Sequence, residues 1–527
     1  MNLESVSCET AKTKMFVLHE HVKQSIRDEL KEVNHRFGLI SDMWSEGTDK
    51  YLGLFATYQS SGKVKKRLLS CMVREDLGDG AIFFEDVEED ARTSGFTAED
   101  LADDVINILC DYGVPLDPDN GRMEVHKFVD FMVGDNVSAN IKMCRMLFVP
   151  FIGCRSHRLN LAVKLSLGNP DKDGAVDVDP RLDEDQRRYR ALVVKADTLQ
   201  RKLRTSKNAE TLRVNGIDIC PDGMNKTRWL SIGSLIDRTD KMVSAGLRNI
   251  QFFQRVPDDL LLTEGDVATV GELNDVMAKI NAATLLIQKD EYTLSQVESC
   301  LRVLQEERGV DTFLKGSHLN AERSLDALDE RARGSREERE LFVRSRNYNF
   351  ERAVVKIQQG QPVVDPEERR AVQHLLRSGL DEAASGEPAS NQRDQFVRKM
   401  KEAAKSSTPF RGGEYVDLSH AIGTSDIVER LFSACKLVMT DRRKGMGPEM
   451  LDMIMMLKHN QDLWNADRDD EKSYMAARVL RLDYEERRRV ARRLREETMR
   501  AMRQVDDRSE EENDDFDLQD DAIVGVY

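Results

Sequence analysis

Phe37-Gly-Leu-Ile-Ser-Asp-Met-Trp44 is the stretch whose reading decides the fold. Its apolar and aromatic residues, bounded by polar turn formers, predict a short strand carrying Asp42 near its end. Tyr51-Leu-Gly-Leu-Phe-Ala-Thr-Tyr58 and Lys66-Arg-Leu-Leu-Ser-Cys-Met72 follow at close spacing, with Gly, Ser and Asp turns between them. Strands joined so tightly run as an antiparallel meander. Upstream, Val22, Ile26, Leu30 and Val33 recur at helical spacing, so residues 1–35 are expected to hold an amphipathic lead-in helix over 15–33.

Downstream the period changes. Leu101, Val105, Ile106, Leu109 and Cys110 predict a helix over 97–112. A fourth strand over 127–134 ends at Asp135, a helix starts at Ser138, a fifth strand covers 148–152 and a helix covers 158–167. The near-continuous apolar runs of strands four and five suit strands covered on both faces and joined by a helical crossover. Three strands, then helix, strand, helix, strand, helix is the order of the ribonuclease H-like fold, an α/β core with a mixed five-stranded sheet. In that fold one catalytic Asp lies on the first strand and another at the end of the fourth, the places of Asp42 and Asp135. Each alone reads equally well as a turn residue or helix cap; together, in order, they favour the site.

At 527 residues the chain exceeds one ordinary core. The core's first part is assigned to 36–168, a mainly helical insertion to 181–412 beyond a Gly, Pro and Asp loop near 171–180, and a closing segment to 413–465. A charged helix is expected over 466–505 and an acidic disordered tail over 506–527. No apolar run reaches membrane-spanning length and no signal-peptide pattern is present, so an intracellular protein without membrane contact is expected. Eight scattered cysteines contain no Cys-x-x-Cys pair, which argues against a disulfide framework and against structural zinc. The net charge is −16, and ten acids against Arg508 between 506 and 521 supply −9 of it. The remainder is still acidic, and DNA binding would rely on local basic patches. Arg187 to Lys207 is the clearest of these, with a solvated amphipathic helix as an equally good reading. Residues 360–412 are rich in Gly, Pro, Ser and charge, and loops are expected near 359–362 and 385–388.

Val428, Leu431, Phe432, Cys435, Val438 and Met439 recur at steps of three, four and seven, on one face of a helix, and leave Glu429 on the opposite edge with Ser433 and Lys436. Further stretches join it. Ser41-Asp-Met-Trp-Ser45, Asp135-Asn-Val-Ser-Ala-Asn140, Cys154-Arg-Ser-His157, Lys226-Thr-Arg-Trp229, Val428-Glu-Arg-Leu-Phe-Ser-Ala-Cys435, Thr440-Asp-Arg-Arg443, Met446-Gly-Pro-Glu449 and Leu457-Lys-His-Asn460 occur in this order. Motif by motif the chain resembles the hAT superfamily of DNA transposases over about residues 10–465, most specifically in the hAT carboxy-terminal dimerisation region.

The resemblance implies a divided triad of Asp42, Asp135 and Glu429 that holds Mg²⁺, or Mn²⁺, for strand cleavage and transfer on DNA. Hard divalent ions take oxygen ligands, and two of them clamp an in-line displacement at phosphorus. It also implies DNA contacts from Arg228, Trp229 and His157, with Trp229 stacking on an extruded base of a hairpin or transposon end. A lone Trp is more often core, and Cys154 with His157 reads equally well as packing; no zinc is expected there. Leu431, Phe432, Met450, Leu451, Ile454, Leu457 and Trp464 would build a homodimer or higher oligomer, and a nuclear protein is expected. The BED zinc finger usual in active relatives cannot be built from Cys8, His19, His21 and His35, the Cys and His residues ahead of the first strand. A truncated or domesticated protein that keeps dimerisation without catalysis is therefore the competing reading, and a plain ribonuclease H-like nuclease is weaker because it leaves the closing motif unexplained.

Overall fold

A computed structural model describes residues 8–34, 36–46, 49–74, 97–117, 121–167, 184–222, 230–247, 260–289, 292–314, 347–376, 395–405, 415–439 and 446–464. The chain divides into a large unit, Ile26–Asp452, and a second unit drawn from the two ends of the chain. The fold below is that of the large unit.

Helix α1 (Cys8–Glu32) is followed by β1 (Phe37–Glu46), β2 (Asp49–Ser60) and β3 (Lys63–Arg74). The meander is antiparallel as expected, and each strand runs longer than its apolar run because ladder bonds continue into the polar ends. The turn between β2 and β3 puts Ser61 and Gly62 in the left-handed region, at φ 50° and 73°. Helix α2 (Ala98–Asp111) starts at Thr97, whose hydroxyl accepts from the Asp100 N–H while the Asp100 carboxylate accepts from the Thr97 N–H. This capping box satisfies two otherwise orphaned donors and contributes about 1 kcal/mol.

A short helix α3 (Gly121–Glu124) precedes β4 (Val129–Gly134), then α4 (Ser138–Met146), β5 (Phe151–Gly153) and α5 (Arg155–Leu167). The sheet order is β3-β2-β1-β4-β5, with β1–β4 and β4–β5 parallel. Two boundaries depart from the sequence expectation. The fifth strand begins at Phe151 instead of 148, because Phe148 has φ 54° and Pro150 has no N–H to give to a ladder. Helix α5 begins three residues earlier than expected, which puts Arg155, Ser156 and His157 in its first turn.

The insertion follows as α6 (Glu184–Leu203), α7 (Ser206–Val214), α8 (Leu230–Ser244), α9 (Glu264–Ile287), α10 (Leu294–Gln305), α11 (Val310–Phe313), α12 (Asn347–Gln358), α13 (Pro366–Ala371) and α14 (Gln395–Lys405). The loop expected near 359–362 lies between α12 and α13, and the polar stretch over 360–412 also holds α13 and α14. Asp365 caps α13 by accepting from the Glu367 and Glu368 N–H groups, with Pro366 at its first position. A second hydrophobic core joins Leu159 and Val163 of α5 to Leu199, Leu235, Val270, Ile280, Leu301 and Met400 of the insertion. Helix α5 thus belongs to both layers: its first turn meets the end of the sheet and its remainder is buried in the helical core.

The basic helix expected over 187–207 is α6 with the start of α7, and acids meet much of it. Arg188 pairs with Glu272, Lys195 with Asp266 and Arg201 with Asp197, at 2.7–2.8 Å. Helices α15 (Asp426–Val438) and α16 (Pro448–His459) close the described chain. The loops near 171–180 and 385–388, the motif Thr440-Asp-Arg-Arg443, the charged helix and the acidic tail lie outside the described residues. Among the described residues no helix is long and apolar enough to cross a membrane.

Candidate active site

The register of the parallel strands gathers the first two acids. Leu39 lies beside Met132 and Ile40 beside Val133; continued by two residues, the same register brings Asp42 abreast of Asp135. Both stand at the carboxyl ends of neighbouring parallel strands, where an α/β sheet leaves a crevice for ligands. Gly134 permits the approach, since a Cβ there would meet the Ser41 carbonyl oxygen at 3.2 Å.

Helix α15 returns to this place across 290 residues. On the antiparallel side of β1, Asp42 pairs with Gly53. A Cβ on Gly53 would strike Val428 Cγ1 at 2.5 Å and meet Leu431 and Phe432 at 3.1 Å. Glycine in the middle of a strand here makes the seat of a helix. Val428, Leu431 and Phe432 are buried, each contributing about 2 kcal/mol of apolar burial. Phe432 also packs against Trp44, at 5.5 Å between ring centroids. Trp44 in turn stacks on Tyr51 at 4.8 Å and lies under the Lys436 ammonium at 5.1 Å.

Glu429 comes with this helix and is exposed. Its charge reaches Asp42, whose carboxyl is held well above the usual carboxylate range by burial first and the Asp135 charge second. The Met43 N–H, 2.8 Å from Oδ1, opposes the rise, and Glu429 and Asp426 add to it. The structure thus brings Asp42 and Asp135 together and sets Glu429 within electrostatic reach. Among the described residues no three carboxylate, imidazole or thiol groups are already gathered in a metal-binding set.

Asp135 is fixed on both oxygens. His157 Nδ1 lies 2.8 Å from Oδ2, and Ser425, the residue that caps α15, gives its hydroxyl to Oδ1 at 3.3 Å. His157 therefore stands at the site with its Nδ1 turned to Asp135. Cys154 lies behind it, fully buried; its thiol is pushed up by burial first and then by Asp426 and Asp135. Arg228 and Trp229 lie outside the described residues.

Sequence reasoning missed the first turn of α5 as a junction. Arg155 donates to Glu351 at 3.1 Å and to Glu298; Ser156 donates to Asp426 at 2.8 Å; Arg158 donates to Glu351 at 3.0 Å and to Asn136 at 3.2 Å. Glu351 further accepts from the Gly153 N–H at 2.9 Å. Burial would push the Glu351 carboxyl up, but the Arg155 and Arg158 guanidiniums hold it below the usual range. Four consecutive side chains of one helical turn, Arg155 to Arg158, thereby fasten the insertion, α15 and the end of β4 to one another. The readable signal was Arg155 and Arg158 on either side of His157; their partner, 193 residues from Arg158, had none.

The donor chemistry of the pair suits a hard divalent cation. It offers carboxylate oxygens alone, and among the described residues no lysine or arginine pairs with Asp42 or Asp135. No family model matches the chain, and no curated protein matches it either.

Proposed function

We propose that this chain is a hAT-type transposase core whose Asp42, Asp135 and Glu429 hold Mg²⁺ or Mn²⁺ for cleavage and strand transfer on hairpin-like or transposon-end DNA. The ribonuclease H-like identity of the sheet belongs to the same proposal. The observation that carries it is the meeting of Asp42 and Asp135 at the ends of parallel strands, with α15, the helix that bears Glu429, seated through Val428 on Gly53 opposite Asp42. Divalent ions, when bound, stabilise charge on the phosphoryl oxygens and acidify the attacking water.

The chain's own residues supply the rest. His157 and Ser425 hold the Asp135 carboxylate in one orientation, and His157 would meet DNA only from this place beside Asp135. Lys436 beside Trp44 adds positive charge next to an otherwise acidic crevice. Arg228 and Trp229 would contact the DNA. The nucleus is the compartment that such a substrate implies.

Leu431 and Phe432 are already buried against β1 and β2 of the same chain, and Leu451 and Leu457 are buried as well. Trp464 donates its indole N–H to the Leu457 carbonyl at 2.8 Å. The homodimer contact therefore falls chiefly to the half-buried Met450 and Ile454, and Ile454→Lys should shift sedimentation from dimer to monomer. An unchanged dimer would count against that contact.

The second reading is a catalytically silent, dimerising DNA-associated protein. The exposed position of Glu429, outside any gathered ligand set, favours it. Purified protein incubated with hairpin and nicked DNA in Mg²⁺ or Mn²⁺ separates the two. The transposase reading expects cleavage that falls at least a hundredfold in Glu429→Gln; no cleavage by either protein leaves the silent reading standing.

A further inference from the structure

Asp426 is the acid the proposed reaction does not use. It opens α15, three residues before Glu429, and its side chain is 2% exposed. Buried carboxylates are ordinarily neutralised by a lysine or arginine at contact distance, as Glu351 is. Among the described residues none forms an ion pair with Asp426. Neutral donors hold it instead: the Ser156 hydroxyl at 2.8 Å on Oδ2, the Gln288 amide at 2.9 Å on Oδ1, and the Thr424 side chain. Burial raises the Asp426 carboxyl above the usual range, while the donors directed at both oxygens and the nearby Arg430 charge oppose that rise and favour the carboxylate.

Those donors come from different parts of the chain. Ser156 sits beside His157, which orients Asp135. Gln288 caps the carboxyl end of α9 in the insertion, and its carbonyl accepts from Arg430 Nη1 at 3.3 Å, so α15 grips it twice. Ser425, next to Asp426, bonds Asp135 by its hydroxyl and Cys154 Sγ by its N–H. Asp426 is thus one residue from each of the two groups that orient Asp135, across a hydrogen bond on one side and along the chain on the other. Its charge also raises the proton affinity of Asp42.

We propose that Asp426 is a positioning residue: a fixed, buried negative charge behind the Asp42–Asp135 pair that strengthens divalent-cation binding there without ligating the ion. This rests on the reading of that pair as a metal site. Outer-shell partners of metal ligands change affinity by about 10- to 100-fold when altered, and a charge brought close to a cation in a partly dry crevice acts in the same direction.

The test titrates the full chain with Mn²⁺ alone by calorimetry and follows thermal unfolding in EDTA, for the wild type, Asp426→Asn, Ser156→Ala and Asp42→Asn. Asparagine keeps the shape, accepting from Gln288 and donating to Ser156 Oγ, and removes the charge. The expected result is Mn²⁺ affinity weakened about tenfold in Asp426→Asn with an undiminished melting temperature in EDTA, and affinity within about twofold of wild type in Ser156→Ala, which keeps the charge. Wild-type affinity in Asp426→Asn, with binding abolished in Asp42→Asn, overturns this inference alone. Equal losses in Asp426→Asn and Ser156→Ala, both with lowered melting temperatures, overturn it in favour of a purely structural brace. Absence of wild-type binding, or binding untouched by Asp42→Asn, overturns the metal site and the role of Asp426 with it.

Discussion

Asp42 is a half-buried carboxylate and Glu351 a buried one, and their surroundings treat them in opposite ways. Glu351 sits between Arg155 and Arg158 and accepts the Gly153 N–H, so its charge is neutralised within the chain. Asp42 faces Asp135, with Glu429 and Asp426 adding to the same sign, and its carboxyl is driven up. A fold that neutralises one acid completely and crowds the other with like charge is using the first as a fastening. The second has an electrostatic deficit that a cation from outside would fill.

The comparison can be broken most forcefully at Glu351. Glu351→Gln leaves the buried Arg155 with Glu298 alone and the half-buried Arg158 facing a neutral amide, and is expected to lower unfolding stability by about 3 kcal/mol in urea denaturation. The wild-type contribution is present above the unfolded carboxyl pKa and lost as pH falls through the depressed folded value, so the gap between the two proteins should close in acid. A loss below about 1 kcal/mol at neutral pH would mean that the junction is not a fastening.

Gly53→Val attacks the seat of α15 instead. The added side chain begins 2.5 Å from Val428 Cγ1, and overpacking of this kind costs about 2–3 kcal/mol. Because Glu429 travels with α15, Mn²⁺-induced stabilisation should vanish as well. A destabilised variant that keeps its full Mn²⁺ response would separate helix seating from the site.

Asp130 lies between the two extremes. It is fully buried on β4, its carboxylate paired among the described residues with the half-exposed Arg36, and burial outweighs that arginine and pushes its carboxyl up to about 6. Its contribution to stability is present below the unfolded carboxyl pKa and lost as pH rises through about 6. The stability of Asp130→Asn relative to wild type should therefore improve by about 2 kcal/mol between pH 4 and pH 7.5. A flat difference across that window would show that Arg36 neutralises Asp130 as fully as its neighbours neutralise Glu351.

The smallest expected effect is the most diagnostic. Asp42→Asn removes a charge that its neighbours repel, so in EDTA at neutral pH the variant should be more stable than wild type by about 1 kcal/mol. The raised folded pKa fixes the sign: the wild type loses stability as pH rises above the unfolded carboxyl value. With Mn²⁺ present the order should reverse. A destabilised, Mn²⁺-indifferent Asp42→Asn would remove the contrast with Glu351.

By itself the sequence determined what depends on local pattern. The alternation and spacing over 37–72 gave a meander, the apolar runs of 127–152 gave buried parallel strands, and the periodicity from Val428 gave a helix with Glu429 off its apolar face. The spacing of Leu101, Val105, Ile106, Leu109 and Cys110 gave α2. The same local reading misplaced the start of β5, because a backbone at positive φ and a proline without a donor outweigh an apolar run.

Tertiary structure alone decided what depends on partners far apart in the chain. Strand register set Asp42 beside Asp135, and a glycine opposite Asp42 let α15 lie on the sheet. Glu298, Glu351 and Asp426 met the first turn of α5 from 143 to 270 residues away. Periodicity reports which side of an element is apolar; which charge stands opposite which is fixed only when the elements pack, because Coulomb interactions and hydrogen bonds depend on distance in space and not along the chain.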